Sequence, residues 1–263
     1  MNTLPSVFVS HGSPMFALDP GSTGPALHAW AQAQPRPRAI VVMSPHWMAR
    51  APVVMSTPAP QTWHDFGGFA AALYQLQYPA PGDPALAQEV QALLQAAGIE
   101  AGTDPRRPLD HGAWVPLMHL YPEADVPVVQ LALPAHWGPA RVHALGHALR
   151  PLRARGVLLL GTGSMTHNLS EFSGGEPAPA AYVGEFSRWV EDRVVQGDLA
   201  ALLDYRARAP HAGRAHPTDE HFLPLFFALG AADEGAQPHY LSREVRYGML
   251  AMDALALGEA APA

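Results

Sequence analysis

Three histidines in this chain each follow an apolar, β-branched run within a few residues. "SVFVSHGSPM" (6–15) puts His11 two residues past Val9, and "AIVVMSPHW" (39–47) puts His46 three past Met43. "VLLLGTGSMTHNL" (157–169) delivers His167 after a glycine-rich turn. A neutral imidazole can ligate a metal, and it titrates close enough to neutrality to move protons. One such residue at a strand end means little. Three suggest strand ends that converge on a common rim, where open α/β sheets bind their ligands. The chain has 14 histidines and no cysteine, so any metal would be held by imidazole and carboxylate.

A metal needs further ligands, and "HPTDEHFLPLFF" (216–227) offers one. Pro224 cannot occupy a helix interior, so the helix is expected to start near His221 with Pro224 in its first turn. Glu220 and His221 are adjacent and are expected to point apart, so that one of them binds. The residues alone do not choose between the two. Imidazoles suit iron, zinc, copper or nickel, and two histidines with one carboxylate form the facial triad of non-haem Fe(II) oxygenases. "RRPLDHGAWVPL" (106–117) sets Asp110 and His111 before an apolar helix. Asp110 there reads as a helix cap; alternatively, His111 reads as an acid or hydrogen-bond donor above the metal.

Other patterns carry less. His143 and His147 have the i, i+4 spacing of a helical zinc pair, but Val142, Leu145, Leu149 and Leu152 mark the buried stripe nearly opposite them, so both read as solvated. "GTGSMT" (161–166) lacks the third glycine of a dinucleotide fingerprint, and Ser164 has no G-x-S-x-G elbow around it. His136 follows a strand without further support. His28, His64, His119, His211, His216 and His239 fit no pattern.

The elements that must position these groups alternate. Apolar runs at Val7–Val9, Ile40–Met43, Val126–Leu131 and Val157–Leu160 read as strands covered on both faces. Helical patterns at 25–32, 84–97, 114–120 and 139–154 lie between them, with Pro84 and Pro139 suiting first turns and Gly98 and Gly156 suiting stops. Helices near 180–195 and 223–229 precede a last strand-like segment at 245–252. The pattern predicts an α/β three-layer sandwich with a central, mostly parallel sheet flanked by helices. We expect one catalytic domain over 1–258 and a frayed tail at 259–263.

Composition bounds the partners. Of 263 residues, 48% are hydrophobic and 15% charged, and the net charge is -7. A chain of this length and apolar content can bury a sizeable core. No basic stripe invites nucleic acid, and no apolar stretch reaches membrane-spanning length. The start lacks the charged and apolar regions of a signal peptide. With the absence of cysteine, this gives the expectation of a cytoplasmic protein. The oligomeric state is not legible.

Taken in order, "SHGSPM", "SPHW", "DHGAWVPL", "GTGSMTHNL" and "PTDEHFLPL" resemble the class III extradiol ring-cleaving dioxygenases, most closely the DOPA 4,5-dioxygenase branch. "LYQLQYPAPGDPALA" (73–87) and "YGMLAMDAL" (247–255) are similar to that branch as well, so the resemblance spans nearly the whole chain. It implies that His11 and His46 are metal ligands and that His221 is the third, where more distant class III enzymes use glutamate. His167 would be the catalytic histidine, counting as a ligand in zinc-loaded relatives, and His111 the second active-site histidine. The branch often has alanine before the second metal histidine. Pro45 stands there in this chain, which restricts Ser44 to extended conformations and predicts a rigid turn.

The resemblance implies Fe(II) for activity, with Zn(II) as a possible bound metal, and a small aromatic diol and O2 as substrates. Catechol oxygens must chelate the ion beside O2, which requires open coordination positions. Neutral ligands preserve the cation's charge, and His167 would take a substrate proton and later return it. Trp47 or Trp114 could pack against the ring. The alternative reading is a zinc hydrolase on the same histidines; a non-catalytic small-molecule binder is a third.

Overall fold

The computed structural model describes residues 3–258; the tail at 259–263 lies outside them. In chain order come β1 (Ser6–Ser10), α1 (Thr23–Ala33), β2 (Ala39–Ala49), β3 (Val53–Met55), α2 (Pro84–Ala96), β4 (Gly102–Asp104), α3 (His111–Leu120) and β5 (Val128–Pro134). Then follow α4 (Pro139–Leu149), β6 (Val157–Gly163), α5 (Ala181–Gln196), three short helices α6 (Leu199–Leu203), α7 (Tyr205–Arg208) and α8 (Ala212–Ala215), and α9 (Leu223–Ala231). The described residues end with β7 (Pro238–Ser242), β8 (Val245–Arg246), β9 (Leu250–Ala251) and β10 (Ala254–Leu257).

Eight strands form one sheet in the order β4-β3-β5-β2-β6-β1-β10-β7. Its centre is parallel: β1 with β6, β6 with β2, and β2 with β5. Antiparallel pairs join β3 to β5, and β10 to β1 and β7. Side chains alternate between two buried faces. Val41, Met43, Val129, Leu131 and Leu159 pack against residues of α2, α4, α5 and α9. Val7, Val9, Ile40, Val42, Leu158 and Leu160 face residues of α1 and α3. This is the expected three-layer α/β sandwich.

The register explains the rim. Ser10 stands opposite Gly163, and Met43 opposite Gly161. The adjacent parallel strands β1 and β6 therefore end at one level, close to where β2 stops pairing with β6, and His11 leaves the sheet one residue past that line.

Several boundaries differ from the sequence expectation. The helix expected over 139–154 stops at Leu149 and continues as a 3-10 helix, Arg150–Arg155, because Pro151 denies the α-helix a backbone donor. The segment at 245–252 is not one strand. Tyr247 and Gly248 both have positive φ (53° and 66°) and fold it into a tight turn between β8 and β9, with β10 beyond. β3 is apolar but only three residues long, and β4 and β7 carry too few apolar residues to announce themselves. The stretch after Met43 is a bulged continuation of β2, not a turn. Ser44 pairs with Ala132 and Met48 with Leu133, so Pro45, His46 and Trp47 are extra residues on one strand. Proline has no N–H to give a ladder, so Pro45 suits a place where pairing lapses.

Candidate metal centre

His11 enters the site through backbone bonds at the strand end. Its N–H donates to Gly163 O at 2.9 Å, and Gly12 follows at φ +61°. His46 is thrown out of the ladder by the bulge, and its N–H donates to Ser44 Oγ at 3.2 Å. His221 sits just before α9, held by Ser164 N–H donating to His221 O at 2.8 Å. Gly163 is required at this crossing, because a Cβ there would collide with His221 O. Pro224 lies in the first turn of α9, as expected.

These three imidazoles meet. Each of His11, His46 and His221 offers a ring nitrogen within 4.8 Å of the others, and Nε2 of His11 lies 3.1 Å from Nε2 of His46. Two nitrogens bound about 2.1 Å from one ion at tetrahedral or right angles would be roughly 3.0–3.4 Å apart. The donor set thus fits a divalent transition metal. Its electrostatics agree. Burial, and then repulsion from neighbouring imidazoles, hold His11 and His221 well below the ordinary histidine pKa, and burial takes His46 to about 3. At neutral pH all three are uncharged, with lone pairs to donate.

His167 and His111 flank the trio. The His167 ring stacks on His221 with centroids 3.5 Å apart and planes 8° off parallel. Burial lowers its pKa to about 4. The His111 ring lies 3.9 Å from that of His46 and 5.6 Å from that of His11. All five histidines singled out from the sequence are therefore in one cluster.

Glu220 does not point away from His221. Its Oε1 accepts a hydrogen bond from His221 Nδ1 at 3.1 Å, because the glutamate side chain is long enough to fold back across one residue. That bond occupies His221 Nδ1 and leaves Nε2 as the nitrogen available to a ligand. His167, Glu220 and His221 also bring their ligand atoms within 4.8 Å of one another.

Asp110 is wholly buried and caps α3, its Oδ1 accepting from Ala113 N–H at 3.2 Å. Its Oδ2 accepts from Arg107 Nη2 at 2.9 Å and from Gln130 Nε2. Arg107 is stacked between Trp47 and Trp63, 4.7 and 4.8 Å from their ring centroids, and donates to His46 O at 3.3 Å. Gly112 lets α3 approach the centre, since a Cβ there would strike Ser44 Oγ and stand 2.8 Å from His46 Cδ2.

Sequence reading missed Arg107 and Asp65. Asp65 Oδ1 accepts from both the backbone N–H and the Nδ1 of His111. Burial alone would raise the Asp65 pKa, but these bonds and the nearby imidazole charges bring it below the usual carboxylate value. A carboxylate 46 residues from its partner leaves no spacing signal.

Trp114 is fully buried, with Nε1 donating to Trp63 O at 2.9 Å, so it belongs to the core. His64, His119 and His216 donate from Nε2 to backbone carbonyls of Leu76, Phe16 and Met165. His147 is exposed and His143 half-buried.

Residues 6–252 match the family model described as the catalytic LigB subunit of aromatic ring-opening dioxygenase. A protein of Beta vulgaris named 4,5-DOPA dioxygenase extradiol is 41% identical over 240 residues, 90% of each chain. An Escherichia coli K12 protein of the same name is 37% identical over 263 residues, covering 97% of this chain and 95% of that one. The crystal structure of the uncharacterized Escherichia coli K12 protein JW3007 superposes with TM-score 0.79 at 29% identity, over 97% of this chain and all of the other.

Proposed function

This chain belongs to the LigB family of aromatic ring-opening dioxygenases, and from that premise we propose that it is an Fe(II)-dependent extradiol enzyme opening a DOPA-like catechol with O2. The observation that carries the reading is the convergence of His11, His46 and His221 within 4.8 Å. His11, His46 and His221 are the proposed metal ligands, and His167 and His111 the proposed acid–base pair. A divalent iron held there would bind the diol and O2 together and lower the pKa of the bound hydroxyls.

The protein's own groups do the rest. Neutral imidazoles leave the centre's charge to act on the diol. His167 is uncharged at pH 7 and can accept a proton from a substrate hydroxyl on a ring nitrogen, then return it once the ring has opened. Its stacking on His221 limits how far the ring can turn. His111, across the cluster beside His46, offers a second imidazole whose ring nitrogen can accept a hydrogen bond or a proton from a substrate hydroxyl and return it later. Burial of His11 and His221 keeps bulk water from the cluster.

The test is oxygen uptake by Fe(II)-reconstituted protein across a small catechol panel that includes L-DOPA, with a yellow semialdehyde as product. Zn(II)-loaded protein run beside it covers the hydrolase alternative. The expected result is O2 consumption with Fe(II) alone. Hydrolytic turnover with Zn(II) and no O2 uptake with any catechol would overturn the reading.

A further inference from the structure

Asp65 uses one oxygen to hold one residue twice. Its Oδ1 lies 2.9 Å from the His111 backbone N and 2.9 Å from His111 Nδ1. The two side chains are only 9% and 7% exposed. An ionised carboxylate can only accept, so the proton of a neutral His111 is on Nδ1 and the lone pair on Nε2. Across a five-membered ring those nitrogens face different ways. With Nδ1 turned to Asp65, Nε2 is presented away from it, and the His46 and His11 rings stand against His111 at 3.9 and 5.6 Å.

The segment bearing Asp65 is itself tied to α3. Trp63 O accepts from Trp114 Nε1, and Phe66 sets its ring edge-on to His111, centroids 5.5 Å apart. The backbone bond matters as much as the ring bond. It pins the first residue of α3 and uses one of the N–H groups that a helix start leaves without an intrahelical partner.

We infer that Asp65 is the positioning residue of His111, holding it as the Nδ1–H tautomer with Nε2 presented to the substrate side of the centre. That His111 works on a substrate rests on the function proposed above; the tautomer and orientation do not. Without Asp65 the ring could flip, and the two neutral tautomers would mix. Partners of this kind around metal-site histidines are typically worth 10–100-fold in affinity or activity.

The experiment reads the tautomer directly. Long-range 1H–15N spectra of histidine-labelled protein, metal-free and Zn(II)-loaded, are recorded for wild type, Asp65→Asn and Asp65→Ala, with His111 assigned from the spectrum of His111→Gln. Wild type is expected to show the Nδ1–H form. Asp65→Asn should keep it, because the amide oxygen still accepts, whereas Asp65→Ala should show mixed tautomers. With Fe(II), Asp65→Ala should lose about 10–100-fold in kcat, with KM within roughly threefold, unchanged metal content and substantial rescue by Asp65→Asn. An Nε2–H form in wild type overturns the inference even if Asp65→Ala fails to fold. A wild-type spectrum from Asp65→Ala overturns it as well, leaving Asp65 a purely structural role. If no catechol is turned over, the function fails while the spectra still decide the positioning role.

Discussion

The Nε2 atoms of His11 and His46 lie 3.1 Å apart, although the residues are separated by 35 positions. Burial and neighbouring imidazoles keep both rings neutral at pH 7. Two lone-pair nitrogens at that distance favour a shared cation, and His221 supplies the third donor.

Removing a ligand and removing an acid–base group should therefore separate. His46→Ala and His221→Ala are each expected to weaken metal binding by at least about 100-fold, more than the loss of a supporting partner costs. His167→Ala is expected to keep its metal and lose most turnover. Metal stoichiometry after dialysis, measured by plasma mass spectrometry, checks this. Loss of metal from His167→Ala would make His167 a ligand.

The apo protein should lose stability as pH falls from 6.5 towards 4. His46 and His216 titrate near 3 and His167 near 4 in the folded state, while His11 and His221 lie well below 6.5. Unfolding frees these imidazoles to protonate near 6.5, so in that window the unfolded chain binds more protons and acid favours it. Each contributes up to about 1.4 kcal/mol per pH unit. Asp253, raised to about 7 by burial, and buried Asp110, also raised, oppose this, because they hold protons in the folded state that the unfolded chain releases. Five imidazoles outweigh two carboxyls. The melting temperature of metal-free protein, followed from pH 7 to pH 5, should fall.

Gly112→Ala should damage both fold and site. The added methyl would strike Ser44 Oγ and crowd His46 Cδ2. We expect a loss of about 1–3 kcal/mol, typical of overpacking, together with weaker metal binding through a displaced His46. Gly213→Ala is the control: its Cβ would meet nothing within 4 Å, and a helical glycine replaced by alanine should be neutral to slightly stabilising. Denaturant midpoints of the two variants and wild type make the comparison.

The four strands at the centre of the eight-stranded sheet and all five central histidines were legible in the chain. Val7–Val9, Ile40–Met43 and Val157–Leu160 are short, near-continuous apolar runs, which suit strands buried on both faces. Local chemistry also predicted the Asp110 cap and the place of Pro224. The ends of β1 and β6 and the bulge of β2 meet because these strands are adjacent and parallel in the sheet, and the polar residues that follow each apolar run, with a histidine soon after, are visible in the chain.

What the chain could not show depends on contacts between segments far apart in it. The bulge that ejects His46 exists because Ala132 and Leu133 of β5 pair with Ser44 and Met48 across three unpaired residues. Register is a property of two strands together. Asp65 reaches His111 across 46 positions, and Arg107 slides between Trp47 and Trp63, without a period or spacing to mark either. Residue types decided which donors were present. The folded chain decided which nitrogen each one presents, because only packing fixes a ring's rotation and its hydrogen-bond partner.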